Sequence, residues 1–291
     1  SWSSSDPLTL TVIGQVIPGY QEKELTLTVL LSFNGVNYSH SKEVIVPPIV
    51  FDVLPKGRTV FAYAYGRAHG FGEDDLRTIG VVNHAFASVV DGELVANKLG
   101  DRPGLLSLRK QGIRVVMSID GYANGGIPWS KAAFTAEGRE KLANSIVEQV
   151  VKYNYDGVDV DWEYPGFYTD ENWKISTKDD SANYTLMMQK IKDKLKAVNP
   201  DYIFSAAVPG GTWGPERFEI NNIVKIFDFL HLMTYDLDAV ERSTHLTALY
   251  SSTNTINADC SVDGSVKIYV NRGKVGGMSE ETIKEKLIVG A

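Results

Sequence analysis

From about residue 58 onward the chain alternates short apolar runs with longer helical segments, and this alternation restricts its fold more than any other feature. The apolar runs, at 59–65, 81–90, 113–119, 157–163, 202–208 and 229–235, have strand length and strand composition. The clearest helical stretches between them are 135–153 and 181–198, the second stopped by Asn199-Pro200. Strands separated by helices join through right-handed crossovers into a parallel sheet. A doubly wound sheet and a (β/α)8 barrel of the TIM type both satisfy that rule. No G-x-G-x-x-G motif opens a helix after a strand, so the dinucleotide-binding sheet is set aside and a barrel is expected. It is expected to be incomplete at its C-terminal end. Residues 266–270 read as helix and 286–291 as the start of a seventh strand, with no eighth strand or helix after them.

Residues 1–55 read differently. Leu8, Leu10 and Val12, then Leu25, Leu27 and Val29, alternate with polar residues, and Asn34-Gly35 between Phe33 and Val36 is a hairpin signal. Three or four strands with one polar face are expected there, too few for a complete immunoglobulin-like sandwich of about 100 residues. This N-terminal β segment reads as the end of an Ig-like or spacer module. Pro47-Pro48 and Pro55-Lys56-Gly57 mark its border with a barrel domain over 56–291.

With 43% apolar and 22% charged residues, global disorder is excluded. The net charge is −7 and no Lys/Arg run forms a basic stripe, which argues against a nucleic-acid or anionic-membrane partner and favours a neutral substrate. No apolar run approaches the roughly 20 residues needed to cross a bilayer. The single cysteine, Cys260, forms no internal disulfide and reads as an ordinary thiol; no Cys/His cluster offers a zinc site. The start at Ser1 suggests a processed chain or an excised segment.

The chemistry concentrates in Asp156-Gly157-Val158-Asp159-Val160-Asp161-Trp162-Glu163-Tyr164-Pro165. On a strand, Asp159, Asp161 and Glu163 share one face while Val158, Val160 and Trp162 share the other. In a barrel the acidic set points inward, with Glu163 at the carboxyl end, where barrel enzymes place their active sites. Carboxyls spaced about 7 Å apart along a buried strand do not all ionise cheaply. One of them, Glu163, is expected to stay protonated near neutral pH as a general acid. Two other readings stand beside this one. A solvated acidic strand face suits an antiparallel sheet better than a strand between helices, and a divalent-metal cluster remains chemically open because carboxylates are hard ligands.

The run Asp156-Gly157-x-Asp159-x-Asp161-x-Glu163 resembles the signature of family 18 glycoside hydrolases, the chitinases and their relatives, and Trp162, Tyr164 and Pro165 resemble the chitinase branch. His84-Ala85-Phe86-Ala87, Ser118-Ile119-Asp120-Gly121, Ala207-Val208-Pro209 and Met233-Thr234-Tyr235-Asp236 resemble the family's second, third, fifth and sixth strands in order. The resemblance implies hydrolysis of β-1,4-N-acetylglucosaminide linkages by substrate-assisted retaining catalysis, without a cofactor or metal, on chitin or its oligosaccharides and outside the cell or at its surface. Glu163 would protonate the leaving oxygen, Asp161 would hold the acetamido N–H, Asp159 would modulate Asp161, and Tyr235 would hydrogen-bond the acetamido oxygen. Asp236, Tyr63, Phe86, Trp129, Tyr164, Met233 and Trp213 would line the sugar site; Tyr65 and Trp173 also follow strands and are candidate sugar platforms. His231, within Leu230-His231-Leu232, reads as a core histidine.

Two departures from the family pattern stand out. Asp120 replaces the first glycine of the third-strand motif, and no residue matches the tryptophan that the family's eighth strand usually brings. Two rival readings follow, an endo-β-N-acetylglucosaminidase and a chitinase-like protein that binds sugar without cleaving it.

Overall fold

The computed structural model describes residues 1–52, 54, 59–65, 71–96, 99–122, 125–237, 245–252 and 260–290, so the expected border at Pro55-Lys56-Gly57 lies outside the described residues. Near the N-terminus, β1 (Trp2–Ser4), β2 (Lys23–Phe33) and β3 (Val36–Val46) form an antiparallel sheet in that order. The β2–β3 hairpin turns through Asn34 (φ 51°) and Gly35 (φ 76°), two consecutive left-handed residues as a type I′ turn requires. The strand expected over 8–12 does not form. Asp6 accepts the amides of Leu8 and Thr9 and bends the chain there, leaving Leu10 one isolated bridge to Val16.

The main sheet comprises β4 (Val60–Tyr65), β5 (Ile79–Val90), β7 (Arg114–Asp120), β8 (Gly157–Asp161), β9 (Ile203–Pro209), β10 (Phe229–Met233) and β11 (Leu287–Val289), all parallel and hydrogen-bonded in that order. A short antiparallel strand, β6 (Glu93–Val95), pairs with the end of β5. The helices are α1 (Glu73–Thr78), α2 (Arg102–Ser107), α3 (Gly126–Phe134), α4 (Ala136–Lys152), α5 (Thr177–Val198), α6 (Ile220–Ile226), α7 (Val262–Val275) and α8 (Glu280–Lys284). The result is a curled, incomplete (β/α)8 barrel; among the described residues each outer strand, β4 and β11, has one strand neighbour. Side-chain caps start the long helices: Thr135 accepts the Gly138 amide for α4, and Ser176 accepts the Asp179 amide for α5, which therefore begins before residue 181.

Strand parity sorts the interior into layers. Phe61, Val81, Val116, Ile203 and Phe229 form an apolar inner layer at the amino ends of the strands. One step along, Tyr63, Asn83, Ser118, Asp159, Ser205 and His231 make a polar layer, and Asp120, Asp161, Ala207 and Met233 lie beyond it. The opposite faces of the strands pack on the helices in the main core, where Trp162 stacks on Trp129 with 5.7 Å between ring centres.

At the base, Asp156 accepts the Val115 amide at 2.7 Å and pairs with Arg109 at 2.7 Å, both side chains being buried from water. Burial pushes the Asp156 carboxyl up to about 6, with the Arg109 charge opposing that shift. Arg109 also donates to the Pro18 carbonyl, and Ile17 enters the main core, so the segment leading from the N-terminal sheet is tied to the barrel. Arg109→Ala would leave a buried, unpaired carboxylate, and equilibrium urea unfolding should show a loss of about 3–5 kcal/mol. A change within experimental error would mean that the pair does not hold the base together.

Candidate active site

The site lies at the carboxyl ends of β8 and β10, both of which stop two residues earlier than the apolar pattern suggests. The Glu163 amide turns back onto the Asp161 carbonyl at 3.0 Å, and the Thr234 amide onto the Leu232 carbonyl at 2.9 Å. Tyr164 (φ 64°) and Asp236 (φ 54°) then take left-handed backbone, an uncommon conformation for residues other than glycine. Glu163 and Tyr235 are thereby lifted off their strands onto the rim.

Asp159 stays inside the barrel with no exposure. Its Oδ2 accepts the hydroxyls of Tyr63 (2.8 Å) and Ser118 (2.7 Å), and its Oδ1 accepts the Ser205 hydroxyl (2.7 Å). His231 Nε2 is 3.5 Å from Oδ1, and burial lowers its proton affinity against the pull of Asp159. His231 is thus a core histidine. Asp161, one residue pair further up, has an Oδ1 buried without a partner. Burial raises its carboxyl well above the usual range, followed by repulsion from Glu163, Asp159 and Asp120. Glu163 is raised as well, first by burial, while a hydrogen bond from Tyr164 opposes the shift. Asp161 and Glu163 hydrogen-bond to each other. Such a pair shares a proton and titrates as a unit.

Glu163 stands between two cavities. One, of about 450 Å³, is bounded by Tyr122, Tyr164, Trp213, Tyr235, Asp236 and Cys260 among others. The second, of about 530 Å³, runs along Tyr63, Tyr65, Phe86, Asp161 and Tyr235 to Ile288 and Val289 on β11. Met233, Tyr235 and Glu163 belong to both, and among the described residues neither is lined by Lys or Arg. Apolar and aromatic walls with a few carboxyls and several phenols suit a neutral polyhydroxy ligand. No three His, Cys, Asp or Glu side chains are grouped to hold a metal ion among the described residues.

Most of the expected site residues converge here: Glu163, Asp161, Tyr235, Asp236, Tyr63, Phe86, Tyr164 and Met233 all line a cavity, as does Trp213, which is 48% exposed and lies 4.8 Å from the Tyr164 ring. Trp129 is not brought to the cleft. It is fully buried, stacked on Trp162, and its Nε1 donates to the Asp120 carbonyl at 2.9 Å. Trp173 leans on α3, donating to Ser130 at 2.8 Å with its ring edge on Phe134. Tyr63 spends its hydroxyl on Asp159 and offers the cleft only its ring. Sequence reasoning missed Tyr122 and the supporting Ser205; the inward parity of Ser205 was the available signal, whereas Tyr122 sits on a loop with no periodicity to read.

The Glycosyl hydrolases family 18 model matches residues 59–291. Among curated proteins the chain is 39% identical over 123 residues to chitinase A1 of Niallia circulans, covering 39% of this chain and 17% of that protein. It is 29% identical over 184 residues to endochitinase 1 of Metarhizium robertsii, covering 58% of this chain and 39% of that protein. The chain therefore spans well under half the length of these curated relatives. Among solved structures, a family 18 N-acetylglucosaminidase from Paenibacillus barengoltzii superposes with TM-score 0.70 at 29% identity, covering 81% of this chain and 68% of that one. The chitinase domain of the spore coat protein CotE from Clostridium difficile superposes with TM-score 0.64 at 27% identity, over 84% of this chain and 68% of that one.

Folded-state values raised above the unfolded ones have a definite consequence for stability. The native pair keeps protons that an unfolded chain releases near pH 4, so its contribution to stability falls as pH rises from about 4 through the raised values. Asp161→Asn removes the like charge and its burial, so its unfolding free energy relative to wild type should climb between pH 4 and pH 7 in urea titrations. A difference independent of pH would contradict the shared proton.

Proposed function

The chain belongs to glycosyl hydrolase family 18, and we propose that it is a chitinase-type glycoside hydrolase that cleaves β-1,4-linked N-acetylglucosamine polymers with retention of anomeric configuration. The observation that carries this reading is the placement of Glu163, hydrogen-bonded to Asp161 and bordering both cavities, where a glycosidic oxygen would lie between two sugar subsites.

Glu163 transfers its proton to the leaving oxygen as the bond to the anomeric carbon breaks. The substrate's acetamido oxygen attacks that carbon and closes an oxazolinium ring, an exception to the two-carboxylate scheme. The acetamide needs an acceptor for its N–H and a donor for its oxygen. Asp161, with its buried unpartnered Oδ1, supplies the first, and Tyr235, half exposed at the rim, supplies the second. Asp159 places a negative charge beneath Asp161 and steadies the ring cation. Water then opens the oxazolinium with Glu163 as base, which returns the proton to Glu163. The ring faces of Trp213, Tyr164, Tyr65 and Phe86 stack on the pyranose C–H faces along the cleft. No cofactor enters this scheme. The substrate is an insoluble polymer or its oligosaccharides, which places the reaction outside the cell or at its surface; no helix among the described residues is long and apolar enough to cross a membrane.

Hydrolysis of fluorogenic chitobiose and chitotriose tests the reading. Glu163→Gln should lower turnover at least ~100-fold, the low end for general acid catalysis, with urea stability retained; near-normal turnover would remove Glu163 from the mechanism. A cellobiose analogue lacking the acetamido group should not be cleaved, and comparable rates on both sugars would rule out substrate assistance.

A further inference from the structure

Asp120 and Asp236 are the acidic residues near the site that the catalytic scheme leaves unused, and of the two Asp120 lies beside the carboxyl pair on the neighbouring strand. It ends β7 directly opposite Asp161 in the parallel β7–β8 register, and equal parity on neighbouring strands turns both side chains to the barrel interior. Neighbouring groups hold the residue there from three directions. Its Oδ1 accepts the Tyr122 amide at 3.0 Å, and its carbonyl accepts the Trp129 indole at 2.9 Å. A Cβ on Gly125 would sit 3.0 Å from its Oδ2, so the following loop is pressed against the carboxylate. The next residue, Gly121, would put a Cβ 2.4 Å from the Trp162 Cα, so the end of β7 abuts the backbone that links Asp161 to Glu163.

Among the described residues that border the two cavities, Asp120 does not appear. Its influence has to pass through the pair beside it. Resting on the hydrolytic reading above, we propose that Asp120 is a positioning residue: locked beside Asp161 by Tyr122 and Gly125, its carboxylate keeps the proton shared by Asp161 and Glu163 in place for transfer to the leaving oxygen. Repulsion from Asp120 is among the influences that raise both members of the pair. The other charged or titratable groups facing them among the described residues include Asp159 from β8 itself, Tyr164 from the loop after it, Tyr63 from β4, Tyr184 from α5, and Tyr235, Asp236 and His231 from β10 and its end. Among the described residues, no Lys or Arg borders either cavity beside the pair.

Asp120→Asn keeps an acceptor for the Tyr122 amide and removes the charge. The alkaline limb of kcat/KM on chitotriose should move about one pH unit lower in this variant, by the size of a screened Coulomb interaction between neighbouring strands. Asp120→Glu should restore the limb toward its wild-type position. Carbon-13 NMR titration of the Asp and Glu carboxyls, in wild type and Asp120→Asn, reads the same midpoints whether or not the protein turns over. An unchanged NMR midpoint in Asp120→Asn overturns the role of Asp120, whatever the activity. A lowered midpoint with an unmoved kcat/KM limb in an active protein overturns it too, because the pair's proton would then not be the one transferred. A lowered midpoint in a wild-type background that hydrolyses no chitooligosaccharide strikes the hydrolytic reading and leaves the electrostatic coupling standing.

Discussion

Three hydroxyls from three strands close on one carboxylate. Tyr63 from β4, Ser118 from β7 and Ser205 from β9 all donate to Asp159 on β8, and the remaining architecture of the site is arranged around that contact. A carboxylate in a barrel interior would cost several kcal/mol without partners. Here every donor is a neutral hydroxyl held by a neighbouring strand, so the charge is accommodated without a buried cation. The same bonds lock the strands in register, since a slip of one residue would turn each hydroxyl to the helix side.

The contrast between Asp159 and its neighbour two residues on makes the site chemically useful. Asp159 is saturated with donors; Asp161 and Glu163 have mainly each other, with Asp120 and Asp159 repelling them and water reaching Glu163 from the rim. One carboxyl is therefore enclosed by hydroxyl donors while the adjacent pair is raised by burial and mutual repulsion. Two acidic residues on one strand acquire different jobs through their surroundings, the general pattern by which a fold supports acid chemistry near neutral pH. The cleft extends this asymmetry, since Glu163, Met233 and Tyr235 border both of its halves.

The base and the edges serve a different purpose. The Arg109–Asp156 pair and the Pro18 carbonyl bind the N-terminal segment to the foot of the barrel, away from the chemistry. Beyond that anchor the β2–β3 hairpin extends with Leu31, Phe33 and Tyr38 on one exposed face, continuing the stripe that Leu25 and Val44 begin against Leu10 and Trp2. At the other side of the sheet, β4 and β11 border the larger cavity, so residues of both outer strands, Tyr63 and Ile288 among them, help to form the cleft.

Much of this was legible in the sequence. Alternating strand and helix patterns specify a parallel sheet, because right-handed crossovers join such units, and the missing G-x-G-x-x-G favours the barrel form of it. Two-residue periodicity puts Asp159 and Asp161 on one face, because side chains on a strand must alternate. The turn at Asn34-Gly35 was legible for the same local reason. Tertiary structure alone decided how Asp159 is partnered, since its hydroxyl donors lie 41 to 96 residues away in sequence. It also decided that β8 ends at Asp161 and lifts Glu163 to the rim, and that Trp129 packs on Trp162 while Trp213 faces the cleft. Aromatic residues look alike in a sequence, and whether a ring meets a helix or a cavity is set by what the rest of the chain brings against it.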